Sequence, residues 1–338
     1  DTTDSIDVTS SGAALSGTTS VAAVSGKTTF TNLKLTGAVG SYTLTFSSGA
    51  LTTDQQNITV TFGAATKLAL TTQPLGFVNR TNFSTQPVVT VQDVSGNTVE
   101  NSAVSNDVAI DSGNLTGTTQ ISAVNGIATF SGLGKNGTVG SKRLTFTKTG
   151  GGLTEATFDF TLTYGAIHHL NVNVANTLAN DTAWVTQPIV VIQDEDNNTV
   201  DTNDTVTLTA TGATTVAIGG TTSMQAVNGV ANFAGKGVKL TGLVGSKTLT
   251  ATITSGNGFA KDTAITLTYG AATKLALTTE PTGFVNRTLY ATQPVVTVQD
   301  VSGNTVANSS ISIDVTIDSG DVTGTTRVGA VNGVATFA

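Results

Sequence analysis

The chain has 338 residues, a net charge of −7 and a pI near 4.7. Apart from the pair Lys142–Arg143, Lys and Arg are scattered singly, so the basic footprint that nucleic-acid binding needs is excluded. The absence of cysteine excludes disulfides and zinc-thiolate sites, without arguing for a cytosolic home.

Charged residues are 11% of the chain, against about 25% in an average globular domain. Thr, Gly, Val, Ala and Ser dominate. Branching at Cβ suits Thr and Val to strands and costs them rotamer freedom in helices. No amphipathic helix of useful length is present, and the apolar runs are far too short to cross a bilayer. No signal peptide opens the sequence, so any targeting segment is expected to have been removed or to lie outside it.

Read in chain order, the sequence repeats itself. "AVSG" at 23–26 and "VGS" at 39–41 come first, followed by "TFGAATKLALTT" at 61–72. The last motif returns as "TYGAIHHLNVNV" at 163–174 and "TYGAATKLALTT" at 268–279. Its glycines, Gly63, Gly165 and Gly270, are 102 and 105 residues apart. "TQP" ends at Pro87, Pro188 and Pro294, and "AVNG" ends at Gly126, Gly229 and Gly333. These landmarks predict the end of one repeat (1–62), two complete repeats (63–164 and a divergent 165–269), and the start of a fourth (270–338). The sequence thus begins inside one repeat and stops inside another, and it is expected to be a window on a longer array.

Within 63–164, alternation predicts strands over 66–72 (Leu68, Leu70 inward) and 87–93 (Val89, Val91 inward). Short strands follow near 97–101, 106–111, 118–124 and 127–131. The repeat closes with 142–147 (Leu144, Phe146) and 156–164 (Phe158, Phe160, Leu162, Tyr164). Seven or eight strands in about 100 residues predict an all-β, immunoglobulin-like β-sandwich. Without cysteine its core rests on apolar burial. Phe30, Phe130, Phe233 and Phe337 recur after each "AV(N/S)G" and are assigned to that core. The link after Tyr164 is about three or four residues. Such a link predicts tandem sandwiches stacked end to end as a stiff rod, each about 40 Å long.

"VVTVQDVSGNTV" occupies both 88–99 and 295–306, and a variant, "IVVIQDEDNNTV", occupies 189–200. Asp194, Asp196 and Asn198 have the alternate spacing that begins a calcium loop, in which oxygen ligands surround a hard cation. The loop's Gly is absent, and Thr205 stands where a bidentate Glu is needed. The bland reading is a hairpin whose Asp caps the turn while Gly-Asn or Asn-Asn accepts positive φ. That reading is preferred. No cofactor is expected, and Ca²⁺ is the one ion for which the sequence carries part of a ligand set.

His168 and His169 are the only histidines. As strand neighbours they are expected on opposite faces, unable to chelate one ion together. Trp184, Phe83 and Tyr290 each stand three residues before the Gln of "TQP" and read as packing plugs rather than sugar-stacking platforms. Asn57, Asn79, Asn82, Asn114, Asn136, Asn180, Asn197, Asn203, Asn286 and Asn308 open glycosylation sequons, only slightly more than the Thr and Ser content produces by chance. O-glycosylation of exposed Thr is equally open. No nucleophile–base pattern recurs, so catalysis is not expected.

The string "TKLALTTQPLGFVNRTNFSTQPVVTVQDVSGNTV…AVNGIATFSGL…GSKRLTF" resembles the tandem bacterial immunoglobulin-like (Big-type) repeats of large cell-surface and secreted proteins. The resemblance covers essentially the whole chain. It implies an extracellular location and a spacer role as stalk, sheath, surface layer or filament. It transfers no catalytic residue. The alternative is an adhesin whose repeats bind glycan or another cell surface, but the recurring loops, "SGN", "VNG" and "VGS", are small and polar and favour the scaffold. Expected partners are copies of the chain itself or neighbouring repeats of a longer chain, then glycans or a cell surface. An intramolecular Lys–Asn crosslink would need an inward Lys, whereas Lys67 is out of phase with Leu68 and Leu70.

Overall fold

The computed structural model describes residues 4–254 and 258–338. Among these residues all regular secondary structure is β-strand, and no helix is long and apolar enough to cross a membrane. The chain divides into two compact units, Asp1–Gly165 and Ala166–Ala338.

The first unit opens with β1 (Ser5–Ser10), β2 (Ala14–Ser16), β3 (Ser20–Ala22), β4 (Lys34–Thr36), β5 (Gly40–Ser47) and β6 (Asp54–Val60). They form one sheet ordered β3-β1-β5-β6 and a small pair, β2-β4. Next come β7 (Lys67–Thr72), β8 (Val88–Gln92), β9 (Ser105–Ile110), β10 (Asn114–Thr116), β11 (Gln120–Ser122), β12 (Ile127–Thr129), β13 (Gly134–Asn136), β14 (Gly140–Lys148) and β15 (Ala156–Leu162).

These nine strands build a complete sandwich. One sheet is β12-β8-β7, and the other is β11-β9-β14-β15. The first, second and fifth main strands therefore pair with one another, and the third, sixth and seventh pair in the facing sheet. This division is the immunoglobulin arrangement. Period-two alternation produces it. Val89 and Val91 from one sheet meet Val108, Leu144, Phe146 and Phe160 from the other in a single core. The rings of Phe130 and Phe146 lie 5.5 Å apart within it. Each such side chain contributes about 1.5–3 kcal/mol on burial, and this replaces the missing disulfide. At "VNG" the two-residue turn is closed by Val124 and Ile127, which exchange backbone bonds of 2.8 and 3.0 Å. Asn125 and Gly126 both have positive φ there, as a tight hairpin requires.

The second unit contains β16 (His169–Asn173), β17 (Thr177–Ala179), β18 (Ile189–Gln193), β19 (Thr205–Gly212), β20 (Val216–Gly219), β21 (Ser223–Gln225), β22 (Val230–Asn232), β23 (Lys239–Gly242), β24 (Gly245–Ile253) and β25 (Ala260–Thr268). Sheets β16-β18-β22 and β17-β25-β24-β19-β21 enclose a core that includes Trp184 and Phe233. The unit ends with β26 (Lys274–Thr279), β27 (Val295–Gln299), β28 (Ser312–Asp314), β29 (Arg327–Gly329) and β30 (Val334–Thr336), paired as β26-β27-β30 and β28-β29.

Four sequence expectations change. Residues 97–101 form no strand, because they close a turn and then bend away. The pair β10–β13 was not foreseen, since three-residue strands carry no readable period. The interval from Leu162 to His169 is longer than three or four residues. An inward lysine does exist: Lys142 and Lys247 are buried, in phase with the buried Leu144 and Leu249. Each lies near its strand's start, so the alkyl stem packs inward while the amine reaches a hydroxyl. Lys142 Nζ donates to Ser112 Oγ at 3.0 Å, and Lys247 Nζ donates to Thr214 Oγ1.

Candidate functional site

The recurring "QD…N" segment leaves the second strand of each repeat and turns sharply. Asp93 N–H donates to Asn97 O at 2.9 Å, and Gly96 N–H donates to Asp93 O at 3.1 Å. Gly96 has φ 88°, so three loop residues close the turn with the last one left-handed. Gly303 (φ 89°) and Asn197 (φ 64°) hold the same place. Asn197 therefore serves where the other copies use Gly, because its short amide side chain tolerates the left-handed region.

The Asp side chain organises each loop from inside. Asp93 Oδ1 accepts from Asn97 N–H at 2.9 Å, and Asp93 Oδ2 accepts from Asn97 Nδ2 at 2.9 Å. Asp300 accepts from Ser302 N–H at 3.0 Å, Asn304 N–H at 2.9 Å and Asn304 Nδ2 at 2.9 Å. Asp194 does the same with Asp196 N–H at 3.0 Å, Asn198 N–H at 2.9 Å and Asn198 Nδ2 at 2.9 Å. The structure thus brings Asp194, Asp196 and Asn198 together, but as a capped turn. Asn198 presents its NH₂ donors, not its carbonyl oxygen, to the carboxylate. Among the described residues no three His, Asp or Glu side chains gather where a metal could be held.

The same side chains reach beyond their own loop. Asp93 Oδ2 accepts from Gly63 N–H at 2.8 Å. Asn97 Oδ1 accepts from Val39 N–H at 2.9 Å, and Asn97 Nδ2 donates to Gly37 O at 3.0 Å. The turn after β8 is thereby fastened to the loop before β5. The second unit repeats the pattern. Asp300 Oδ2 accepts from Gly270 N–H at 3.0 Å, Asn304 Oδ1 accepts from Val244 N–H at 2.9 Å, and Asn304 Nδ2 donates to Gly242 O at 2.9 Å. Asn180 adds a further tie there. Its Nδ2 donates to Asp300 Oδ2 at 2.8 Å and its Oδ1 accepts from Gly242 N–H at 2.8 Å. We call this arrangement a clasp.

The electrostatics follow from these donors. The Gly63 N–H, with Asn97 and Ser95, pulls the Asp93 carboxyl from 3.8 down to about 2 against the opposing effect of burial. Burial acts most strongly on Asp300 and raises its pKa, but the bonds from Gly270, Asn304 and Asn180 outweigh it and leave the group below its ordinary value. Both carboxylates are held ionised by fixed N–H groups, so they are suited to fastening rather than to proton transfer.

The remaining candidates are dispersed. His168 Nδ1 and His169 Nδ1 lie 3.3 Å apart, which corrects the opposite-face expectation: β16 begins only at His169, so strand alternation does not govern the pair. His169 Nε2 lies 3.1 Å from Asn197 Oδ1. Trp184 is 3% exposed, leaving no ring face for a sugar, and Phe83 is buried as well. The Gln of "TQP", which sequence reasoning used only as a landmark, has a structural role. Gln187 Nε2 donates to Trp184 O at 2.6 Å and Gln187 Oε1 accepts from Val238 N–H at 2.7 Å. Gln86 does the same with Phe83 O and Leu133 N–H, both at 2.8 Å.

The sequons separate by burial. Asn57, Asn82, Asn114, Asn197, Asn203, Asn286 and Asn308 are exposed, and Asn136 is half-buried. Asn79 and Asn180 are 1% exposed. Asn79 Oδ1 accepts from Gly137 N–H at 3.0 Å, and Asn180 belongs to the clasp. Both placements are at odds with a glycan.

No protein-family model matches the sequence, and no curated protein matches it. Solved structures do show similarity. Invasin, a bacterial integrin-binding protein, is 14% identical over 99% of this chain and 66% of its own, with a TM-score of 0.35. The D0-D1 domain of intimin is 15% identical over 60% of this chain and 98% of its own (TM-score 0.21). An S-layer protein is 15% identical over 98% of this chain and 44% of its own (TM-score 0.25). The chain thus spans just under two thirds of the invasin structure and less than half of the S-layer structure. A beta-glycosidase from Bacteroides vulgatus falls in the same range. Similarity this low carries no argument about activity.

Proposed function

We propose that this chain is a stretch of a structural repeat protein that acts at a prokaryotic cell surface as stalk, sheath, surface layer or filament. The clasp is the observation that carries the reading. Two of the polar residues repeated in every copy, Asp93 and Asn97 with Asp300 and Asn304, are engaged in fastening one set of strands to the set before it. A ligand site would leave such groups open to solvent. The division into 1–62, 63–164, 165–269 and 270–338 belongs to the same proposal and is supported by the sheets, none of which crosses those boundaries. The Big-type sequence resemblance supports an extracellular location.

Two measurements on the full chain test the reading. Small-angle scattering is expected to give a maximum dimension well over 100 Å, at about 40 Å per sandwich; a compact particle contradicts the rod. A glycan array is expected to stay blank, and specific binding would transfer the assignment to an adhesin.

A further inference from the structure

The divergent repeat differs from its neighbours at two places that the fold brings together. Where the other copies carry Thr66 and Lys67, or Thr273 and Lys274, it carries His168 and His169. Where they carry Gly96 and Gly303, it carries Asn197. Leu170 is buried, so alternation turns its neighbour His169 towards the outer surface. His168 stands just before β16, with its N–H donating to Gln193 O at 2.8 Å. It is exposed, and His169 is half-buried.

The two rings meet at 85° with centroids 5.5 Å apart, and their Nδ1 atoms are 3.3 Å apart. Both Nδ1 atoms therefore lie on the facing edges of the rings. Asn197 then decides where a proton sits. Its Oδ1 lies 3.1 Å from His169 Nε2, and a carbonyl oxygen only accepts. Nε2 thus carries the hydrogen, and Nδ1 of the neutral ring presents a bare lone pair towards His168. The loop that aims this amide is held in turn, because Gln193 Nε2 donates to Asn197 O at 2.8 Å.

The spacing of the two nitrogens suits a tetrahedral ion. A cation bonded to both at about 2.0–2.1 Å sees them at an angle of about 107°, close to the tetrahedral value. A square-planar ion with similar bonds needs neighbouring ligands closer together, about 2.8 Å apart. The ammonium groups of Lys67 and Lys274 have no lone pair to offer, so the arrangement belongs to the divergent repeat alone.

We propose that His168 and His169 form a two-imidazole site for Zn²⁺, bound through both Nδ1 atoms, with water in the other two positions. Asn197 is its positioning residue, holding the His169 tautomer that leaves Nδ1 free. With two protein ligands where a structural zinc has four, the ion is exchangeable and is not needed for folding. The site is separate from the Asp194 turn, whose carboxylate is taken up by its own loop. It is also independent of whether the chain serves as stalk, sheath, surface layer or filament.

The test titrates the full chain with Zn²⁺ near neutral pH by calorimetry and follows the imidazole nitrogens by NMR. With only two histidines the spectrum is unambiguous. One ion per chain is expected, with both Nδ1 signals displaced and both Nε2 atoms protonated. His168→Thr combined with His169→Lys installs the residues of the other copies, which preserves the strand, and should weaken binding at least tenfold. Asn197→Gly likewise copies Gly96 and Gly303. It should weaken binding several-fold and let the His169 tautomers mix in the zinc-free spectrum. No saturable binding at millimolar Zn²⁺, undiminished binding by the Thr–Lys variant, or ligation through Nε2 overturns the proposal. An unchanged His169 tautomer in Asn197→Gly overturns the role of Asn197.

Discussion

Asp93 is held ionised by three neighbouring residues, and the consequence is a defined acid response. Its folded pKa of about 2 lies below the ordinary 3.8, so the stabilisation is complete above about pH 4 and is lost as pH falls towards 2. The size is about 2 kcal/mol. Thermal melts from pH 6 to pH 2 should show the native chain losing Tm in that window. Asp93→Asn should start lower and lose less, because the amide cannot ionise. Parallel curves for the two proteins would remove the carboxylate from the clasp. Asn180 is the second informative residue. In the sequence it is one of ten sequons, and nothing distinguishes it from Asn286. Folding alone sets its amide between Gly242 and Asp300. Asn180→Ala leaves buried partners unsatisfied and should cost about 1–3 kcal/mol by denaturant melts.

At the level of elements, β7, β8, β14 and β15 were legible because period two runs through five or more residues of each. Lys142 was legible too, two positions before Leu144, but the eye follows hydrophobicity and passes over an amphipathic stem. β10 and β13 were not legible, because three residues cannot display a period. The turns were readable from chemistry: "VNG" requires two positive φ values, and Gly is the residue that gives the second at no cost. Gly229 shows a stricter need. A Cβ there would lie 2.1 Å from Val200 O, at φ +76°. Gly229→Ala should therefore destabilise the second unit by more than about 1 kcal/mol, read as a lowered denaturant midpoint. An unchanged midpoint would mean that the turn relaxes freely.

For the whole molecule, the clasp predicts coupled unfolding within each unit. Asp300→Ala removes acceptors for Gly270, Asn180 and Asn304 together. Calorimetry should then show the melting of 270–338 separating from that of 165–269, where the native unit melts in one step. Calcium provides the complementary control. Asp194 already accepts three N–H groups of its own loop, so millimolar Ca²⁺ should leave Tm unchanged. A rise of several degrees would restore the calcium reading.

Periodicity and repetition by themselves determined the all-β class, the repeat spacing and the inward positions from Leu68 to Leu162, because burial of alternate side chains is a local rule that each strand obeys alone; Tyr164, read as inward by the same rule, lies past the end of β15 and is exposed. They also favoured a turn over a metal loop at Asp194. What the turn is for depended on tertiary structure. Asp93 and Gly63 are 30 residues apart, and Asn97 and Gly37 are 60 apart. No periodicity links such positions. Only the packing of one set of strands against the next brings a carboxylate to the backbone N–H groups that hold it.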